Sequence, residues 1–325
     1  DRKAAVERRV AAGFSCCATL ADAPGWAARP GGDLVPRDMQ EWRRYVSTVI
    51  GDFAAYVDVW EVWNEPDLKP LFDEEPEATR ELQRRLDPDS RLAGLCAAGV
   101  TDRAVEWMER VMRLGALEQV DLLAWHPYYH ERPEDGYFAA LRRVNQVMEE
   151  HGGRRPMVFT EFGTGGVSDW ALHIPWTADG WRKYGEREQA EMLVRQCVIG
   201  LGEGAVKLYW YKWREERIQT GPDTFGLLRA DTYATPKMAA IAYNSLIWRL
   251  EAASLPPRRL AMEEDGQWGY EFWTPEGTVK VMWDVEGRSS VAWPADCRAF
   301  DLWGNELPHA DRLVLTSAPR YLVEP

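Results

Sequence analysis

The chain has no apolar run near the roughly 18 residues that a membrane span needs, and no C-x-x-C pair among its five cysteines. Five is odd, and Cys16, Cys96 and Cys197 sit in apolar surroundings, where a cysteine usually serves as a small buried hydrophobe. A disulfide framework is therefore not expected. Basic residues are in deficit, 39 Lys and Arg against 52 Asp and Glu, for a formal net charge of −13. Such a field repels phosphate and argues against nucleic acid or an anionic membrane surface as partner. Repeats of fixed period and low-complexity tracts are absent too. Gly163-Thr164-Gly165-Gly166 is glycine-rich but lacks the Lys-Ser/Thr of a phosphate-binding loop. His126 and His130 are four apart, yet Pro127 keeps them off one helix face, so neither a metal site nor a cofactor is expected.

What the chain does have is tryptophan: 17, beside 12 tyrosines and 9 phenylalanines. An indole offers a flat apolar face and one N–H donor, which suits the apolar face and hydroxyl edge of a sugar ring. More than half are expected to fill the core, and a few to line a site. The 325 residues, 46% hydrophobic and 28% charged, suffice for one or two domains with a sizeable core.

Apolar runs and amphipathic stretches alternate along the first 250 residues. Strands are predicted at Phe14–Leu20, Val57–Trp63, Arg91–Ala97, Val120–His126, Pro156–Glu161 and Ala205–Tyr211. Helices are predicted over Asp1–Ala12, Pro36–Tyr56, Ala78–Leu86, Thr101–Leu114, Tyr137–His151, Gly185–Leu201 and Pro236–Leu250. That alternation indicates a parallel sheet with right-handed crossovers, and six such units are counted where a closed barrel needs eight. From Glu251 the texture changes to short strands between turns such as Pro275-Glu276-Gly277 and Trp303-Gly304-Asn305. The expected organisation is an α/β barrel-type domain over 1–250 and a small all-β, sandwich-like domain over 251–325.

Two glutamates stand at the carboxyl ends of predicted strands, where a barrel places its chemistry. Trp63-Asn64-Glu65-Pro66 closes one strand, and Thr160-Glu161-Phe162-Gly163 closes another. A retaining glycosidase needs one carboxyl that donates a proton and one that attacks the anomeric carbon, about 5–5.5 Å apart. Either glutamate alone would ordinarily be read as a solvated loop residue or a partner of arginine. Glu61, earlier on the same strand and deeper in the barrel, is read as structural or as a support behind the catalytic pair.

The two motifs together resemble the clan A glycoside hydrolases, family 39 and its relatives most nearly and family 5 more distantly. The resemblance extends over Leu20–Ala28, Ala124–Tyr129, Arg187–Arg195, Lys207–Trp213 and the helix after Thr235. It implies a (β/α)8-type barrel with an accessory β-sandwich, and hydrolysis of a β-linked oligosaccharide or glycoside through a glycosyl-enzyme. By position it makes Glu65 the acid/base and Glu161 the nucleophile. Asn64 would bond the sugar 2-hydroxyl, His126 and Tyr128 would flank the nucleophile, and Trp210 would floor the sugar. Tyr129 competes with Tyr128, and Tyr211 and Trp213 compete with Trp210. Trp26 would border the cleft or simply pack. Trp170, Trp176 and Trp181 would form a glycan lip or a hydrophobic plug.

On this alignment Phe14–Leu20 is the third barrel strand, so the first two are expected upstream of Asp1. An N-terminally truncated barrel is the favoured reading, ahead of a misplaced start or closure by other elements. The arginine that the second strand of relatives contributes has no counterpart. The alternatives to a hydrolase are a non-catalytic carbohydrate-binding protein on this fold and a transglycosylase using the same pair.

Overall fold

Short apolar runs do become strands, and the amphipathic stretches between them helices. The computed structural model describes residues 2–28, 30, 36–68, 80, 84, 85, 87–168, 184–216, 224–287 and 289–325. The elements in chain order are α1 (Arg2–Ala11), β1 (Cys17–Leu20), α2 (Met39–Phe53), β2 (Val59–Val62), β3 (Arg91–Ala98), α3 (Asp102–Arg113), β4 (Leu122–His126), α4 (Phe138–Glu150), β5 (Met157–Phe162), α5 (Glu186–Gly202), β6 (Ala205–Trp210) and α6 (Met238–Leu250). Of the helix predicted over Ala78–Leu86, Arg80, Arg84 and Arg85 are helical; its other positions, and Trp170, Trp176 and Trp181, lie outside the described residues. All five cysteines are free, and Cys297 is buried along with Cys96 and Cys197.

One sheet has the order β1-β2-β3-β4-β5-β6, and the pairings from β1 to β5 are all parallel. Strands that neighbour one another in chain order, each followed by a helix, build six consecutive units of a barrel of the (β/α)8 type. By contacts the chain divides into two units: Asp1–Pro127 with Arg142–Glu161, and Tyr128–Leu141 with Phe162–Pro325.

In the first unit, α2 starts where Asp38 caps it, its carboxylate accepting from the N–H groups of Gln40 and Glu41 at 3.0 Å each. Trp42, Val46 and Ile50 then recur at four-residue spacing. This stripe packs with Leu20, Trp60, Val62, Trp63 and Leu92 in one apolar core. Thr101 caps α3 in the same way, accepting from Ala104 N at 3.3 Å. β3 carries a bulge between Gly94 and Ala97, with Leu95 in the left-handed region at φ 69°.

In the second unit, α5 is buried on nearly every face, and its polar side chains satisfy neighbouring loops. Gln189 Nε2 donates to Thr164 O at 2.9 Å, and Gln196 Nε2 to Tyr129 O at 2.9 Å. The head of α6 supplies Lys237, whose wholly buried ammonium donates to Glu215 Oε1, Gly166 O and Thr224 O at 2.8, 2.7 and 2.8 Å. Burial lowers the lysine pKa and raises that of Glu215. Three acceptors around one ammonium nevertheless fasten the glycine-rich run after β5 and the 224–226 segment to the helix start.

The remaining strands, β7 (Arg258–Arg259), β8 (Gln267–Thr274), β9 (Gly277–Asp284), β10 (Ser290–Ala292), β11 (Arg298–Phe300), β12 (Arg312–Val314) and β13 (Arg320–Glu324), form antiparallel sheets. One is β11-β13-β9-β8-β7 and the other β10-β12. Met282, Ala299 and Leu322 of the larger sheet share a core with Leu313 of the smaller. The β-rich region therefore starts at Arg258, close to the expected change of texture. The sequence does not announce β7 or β13: the first is a pair of arginines, and the second follows Pro319 without polar alternation.

Candidate active site

Trp60-Glu61-Val62-Trp63-Asn64-Glu65 leaves the sheet through a sharply turned backbone. Trp63 and Glu65 both have left-handed backbones, φ 67° and 48°. Each such non-glycine residue costs on the order of 1–3 kcal/mol and persists only where its surroundings fix it. Here they do. Trp63 is buried against Trp42, ring centroids 5.5 Å apart. Leu68 N donates to Glu65 O at 3.1 Å, closing the 3₁₀ turn Pro66–Leu68. Asp67 ties that turn down: its Oδ1 accepts from Ala98 N at 2.9 Å, and its carbonyl accepts from Arg103 Nη2 at 2.8 Å. Burial raises the Asp67 carboxyl above its usual range, the Ala98 N–H opposes this, and the charge of Glu65 adds to the rise.

His126, the last residue of β4, meets the turn. Its Nδ1 lies 2.9 Å from Glu65 Oε1 and 3.8 Å from Glu161 Oε2, with the imidazole 1% exposed and the glutamates partly open. Burial alone would lower its pKa. The hydrogen bond to Glu65 and the charges of Glu161, Glu61 and Glu65 outweigh burial and raise it. A carboxylate accepts only, which makes Nδ1 the protonated nitrogen whenever Glu65 is ionised. One oxygen of Glu65, one of Glu161 and a ring nitrogen of His126 all lie within 4.8 Å of one another.

Behind this trio sits Glu61, 1% exposed. Thr19 of β1 donates to its Oε2 at 2.6 Å, and Thr160 of β5 donates to its Oε1. One buried carboxylate thus links β2 to β1 and to β5, the strand that carries Glu161. Cys96 lies beside it, 3.7 Å from Thr160 Oγ1. Burial first, and the charge of Glu61 second, push its thiol well above the ordinary range, which makes it inert as a nucleophile. Glu61, Cys96 and His126 offer a second group of ligand atoms within 4.8 Å. Either group could accept a cation by spacing; His126 is common to both, and its Nδ1 already bonds Glu65.

The structure thus brings Glu65, His126 and Glu161 together and sets Asn64, half-buried, beside Glu65. Trp26 is 70% exposed and borders a cavity of about 210 Å³ with Pro24, Pro36, Trp42 and Tyr45. Tyr128 and Trp210 belong to the second unit. Tyr128 is half-buried, edge-on to Phe225 at 5.7 Å and to Tyr211 at 6.2 Å. Trp210 is nearly buried, edge-on to Phe162 at 5.3 Å, with its indole N–H donated to Phe225 O at 2.8 Å. Thr19, Thr160 and Asp67 were not singled out by sequence. Asp67 alone carried a signal there, since it follows Pro66 directly in the motif.

No protein-family model matches the chain, and no curated protein does. Solved structures do match. A family 39 glycoside hydrolase from the gut symbiont Bacteroides cellulosilyticus WH2 is similar over 98% of this chain and 70% of its own, with TM-score 0.78 and 19% identity. The fold is shared with clan A glycoside hydrolases. A GH30 endoxylanase from Clostridium papyrosolvens C71 covers 100% of this chain and 83% of its own, with TM-score 0.61 and 12% identity. AbfB, a family 51 alpha-L-arabinofuranosidase from Bifidobacterium longum, covers 98% and 78%, with TM-score 0.63 and 9% identity. At these identities the likeness is one of fold alone.

Proposed function

We propose that this chain is a retaining glycoside hydrolase acting on a β-linked sugar, with Glu65 as acid/base and Glu161 as nucleophile. The observation that carries the reading is the spacing of the pair, with one carboxylate oxygen of each within 4.8 Å. Retaining enzymes hold their carboxyls about 5–5.5 Å apart, whereas inverting enzymes need roughly 6.5–9.5 Å to admit a water. The shared clan A fold supports the same reading.

In the first step Glu161 attacks the anomeric carbon, and the glycosidic C–O bond breaks as protonated Glu65 gives its proton to the leaving oxygen. In the second, ionised Glu65 takes a proton from water, whose oxygen displaces Glu161. His126 serves both steps. Its Nδ1–H on Glu65 Oε1 leaves Oε2 to handle the travelling proton, and its positive form offsets the charge that Glu65 gains. Asn64 is assigned to the sugar 2-hydroxyl. For Trp26, Tyr128 and Trp210, roles at the sugar rest on the resemblance alone; Trp210 has only its ring face to offer, because its N–H is spent on Phe225.

A 2-fluoro aryl β-glycoside should trap the intermediate, with the mass shift on the peptide carrying Glu161. A label elsewhere, or release of an inverted sugar by NMR, would sink the mechanism. Saturable oligosaccharide binding without turnover would instead make the chain a carbohydrate-binding protein, and products longer than the substrate a transglycosylase.

A further inference from the structure

A second cavity lies wholly within the second unit and includes none of the residues of the candidate active site. Its volume is about 480 Å³, within the range of small-molecule sites. One wall is a face of α6: Asn244, Ser245, Trp248 and Arg249, at helical spacing i, i+1, i+4 and i+5. The opposite wall is the edge strand β11, with Arg298 and Phe300, and the turn that follows it.

Two of these residues lack what they ordinarily have. The Arg249 guanidinium lies over the Phe300 ring at 4.1 Å and the Tyr321 ring at 5.1 Å. It has no hydrogen bond or ion pair among the described residues, and its buried Nε has no acceptor. Arg298, the other cation of the cavity, is by contrast engaged by Glu306 at 2.8 and 2.6 Å. The nearby Asp301 is occupied by its own turn, accepting from Trp303 N and Asn305 N at 2.9 and 2.8 Å. Glu276 is the one acid in the lining, and it is exposed. Meanwhile Trp248 is 78% exposed, a large apolar face turned to water.

A guanidinium is a planar fork of donors that matches a carboxylate. An open indole matches the apolar face of a sugar ring. Inorganic anions would satisfy the first and leave the second bare; neutral sugars would do the reverse. One ligand class meets both. We propose that this cavity is a non-catalytic site for a carboxylate-bearing sugar, a uronic acid residue of a glycan, with the carboxylate on Arg249 and the ring against Trp248. Ser245, buried and beside the Tyr321 hydroxyl, also lines the cavity. The proposal does not depend on the hydrolase reading.

Calorimetry on the full chain tests it, in a Glu161→Gln background so that no ligand is turned over. Methyl β-D-glucuronide should bind saturably and more tightly than methyl β-D-glucoside. Arg249→Gln and Trp248→Ala should each weaken the glucuronide about 10-fold or more, and added salt should weaken it further. With Glu161 intact, both variants should hydrolyse aryl glycosides at the unsubstituted rate, which keeps this site's failure distinct from that of the carboxylate pair. Equal affinity for the glucoside, or an unchanged Arg249→Gln, would overturn the assignment. Acetate binding as tightly as the glucuronide would overturn the sugar. Should Arg249→Gln fail to fold by circular dichroism, the glucuronide-to-glucoside ratio and Trp248→Ala decide the matter.

Discussion

The middle of the parallel sheet and its two ends are built differently. β2 and β4 are buried at every position. β1 is buried at one of its four positions, and β6 at two of six. The middle strands read as the near-continuous apolar runs of a sheet covered on both faces. Among the described residues β1 and β6 each have one strand neighbour in this sheet, and each carries a feature that blunts a sheet edge: β1 is only 4 residues long, and β6 places Lys207 in its centre. The left-handed turn at Glu65 and the histidine that meets it both belong to the middle. Precision at the site is thus a property of the doubly covered strands.

The sharpest test of that division is chemical. Glu161→Gln should lower turnover of an aryl β-glycoside by at least about 10⁴-fold, and Glu65→Ala by about 10²–10⁴-fold with recovery by azide. Stability should divide along the same line. Trp60→Ala removes a fully buried indole and its 2.8 Å bond to Asp87, at a cost of about 3–5 kcal/mol in denaturant unfolding. Val206→Ala on β6 should stay within about 0.5 kcal/mol. Comparable losses at the two positions would erase the distinction. Between these extremes, Thr160→Val leaves Glu61 Oε1 without its donor and should cost about 1–3 kcal/mol. A larger loss of kcat than of stability would mark the threonine as positioning Glu161 as well.

The smallest effect is pH-dependent, and its sign follows from His126. The folded pKa is raised above the unfolded value of about 6.5. Its stabilisation is therefore fully present below pH about 6.5 and is lost as pH rises through the higher folded value. An NMR titration should place the His126 midpoint above 6.5. His126→Asn should flatten the fall in stability over that window, and an unchanged slope would contradict the bridging geometry.

Most of this architecture was legible beforehand because it depends on local pattern. Period-3.6 stripes and apolar runs located the six strands of the parallel sheet and most of their helices; strand-end position singled out Glu65 and Glu161, and His126 was named only through the family resemblance. Boundaries slipped where local chemistry intervened. Phe14 was expected in β1, but Gly13 at φ 88° ends α1 and leaves Phe14 exposed, so the strand opens only at Cys17. Long-range meetings were not legible. Thr19 and Thr160 reach Glu61 from 42 and 99 residues away, and nothing about an isolated threonine signals that. β13 is not legible in the sequence for a similar reason: its pairing with both β9 and β11 follows from tertiary context, not from its five residues.

Lys237 carries one more consequence. Its ammonium serves a carbonyl 71 residues earlier, a carboxylate 22 earlier and another carbonyl 13 earlier. A ribosome releases the chain from its amino end, so those acceptors emerge first and wait, hydrated, until the lysine clears the exit tunnel. The glycine-rich run that follows Glu161 can be held earlier by Gln189, but it gains its ammonium fastening only once the head of α6 has been made.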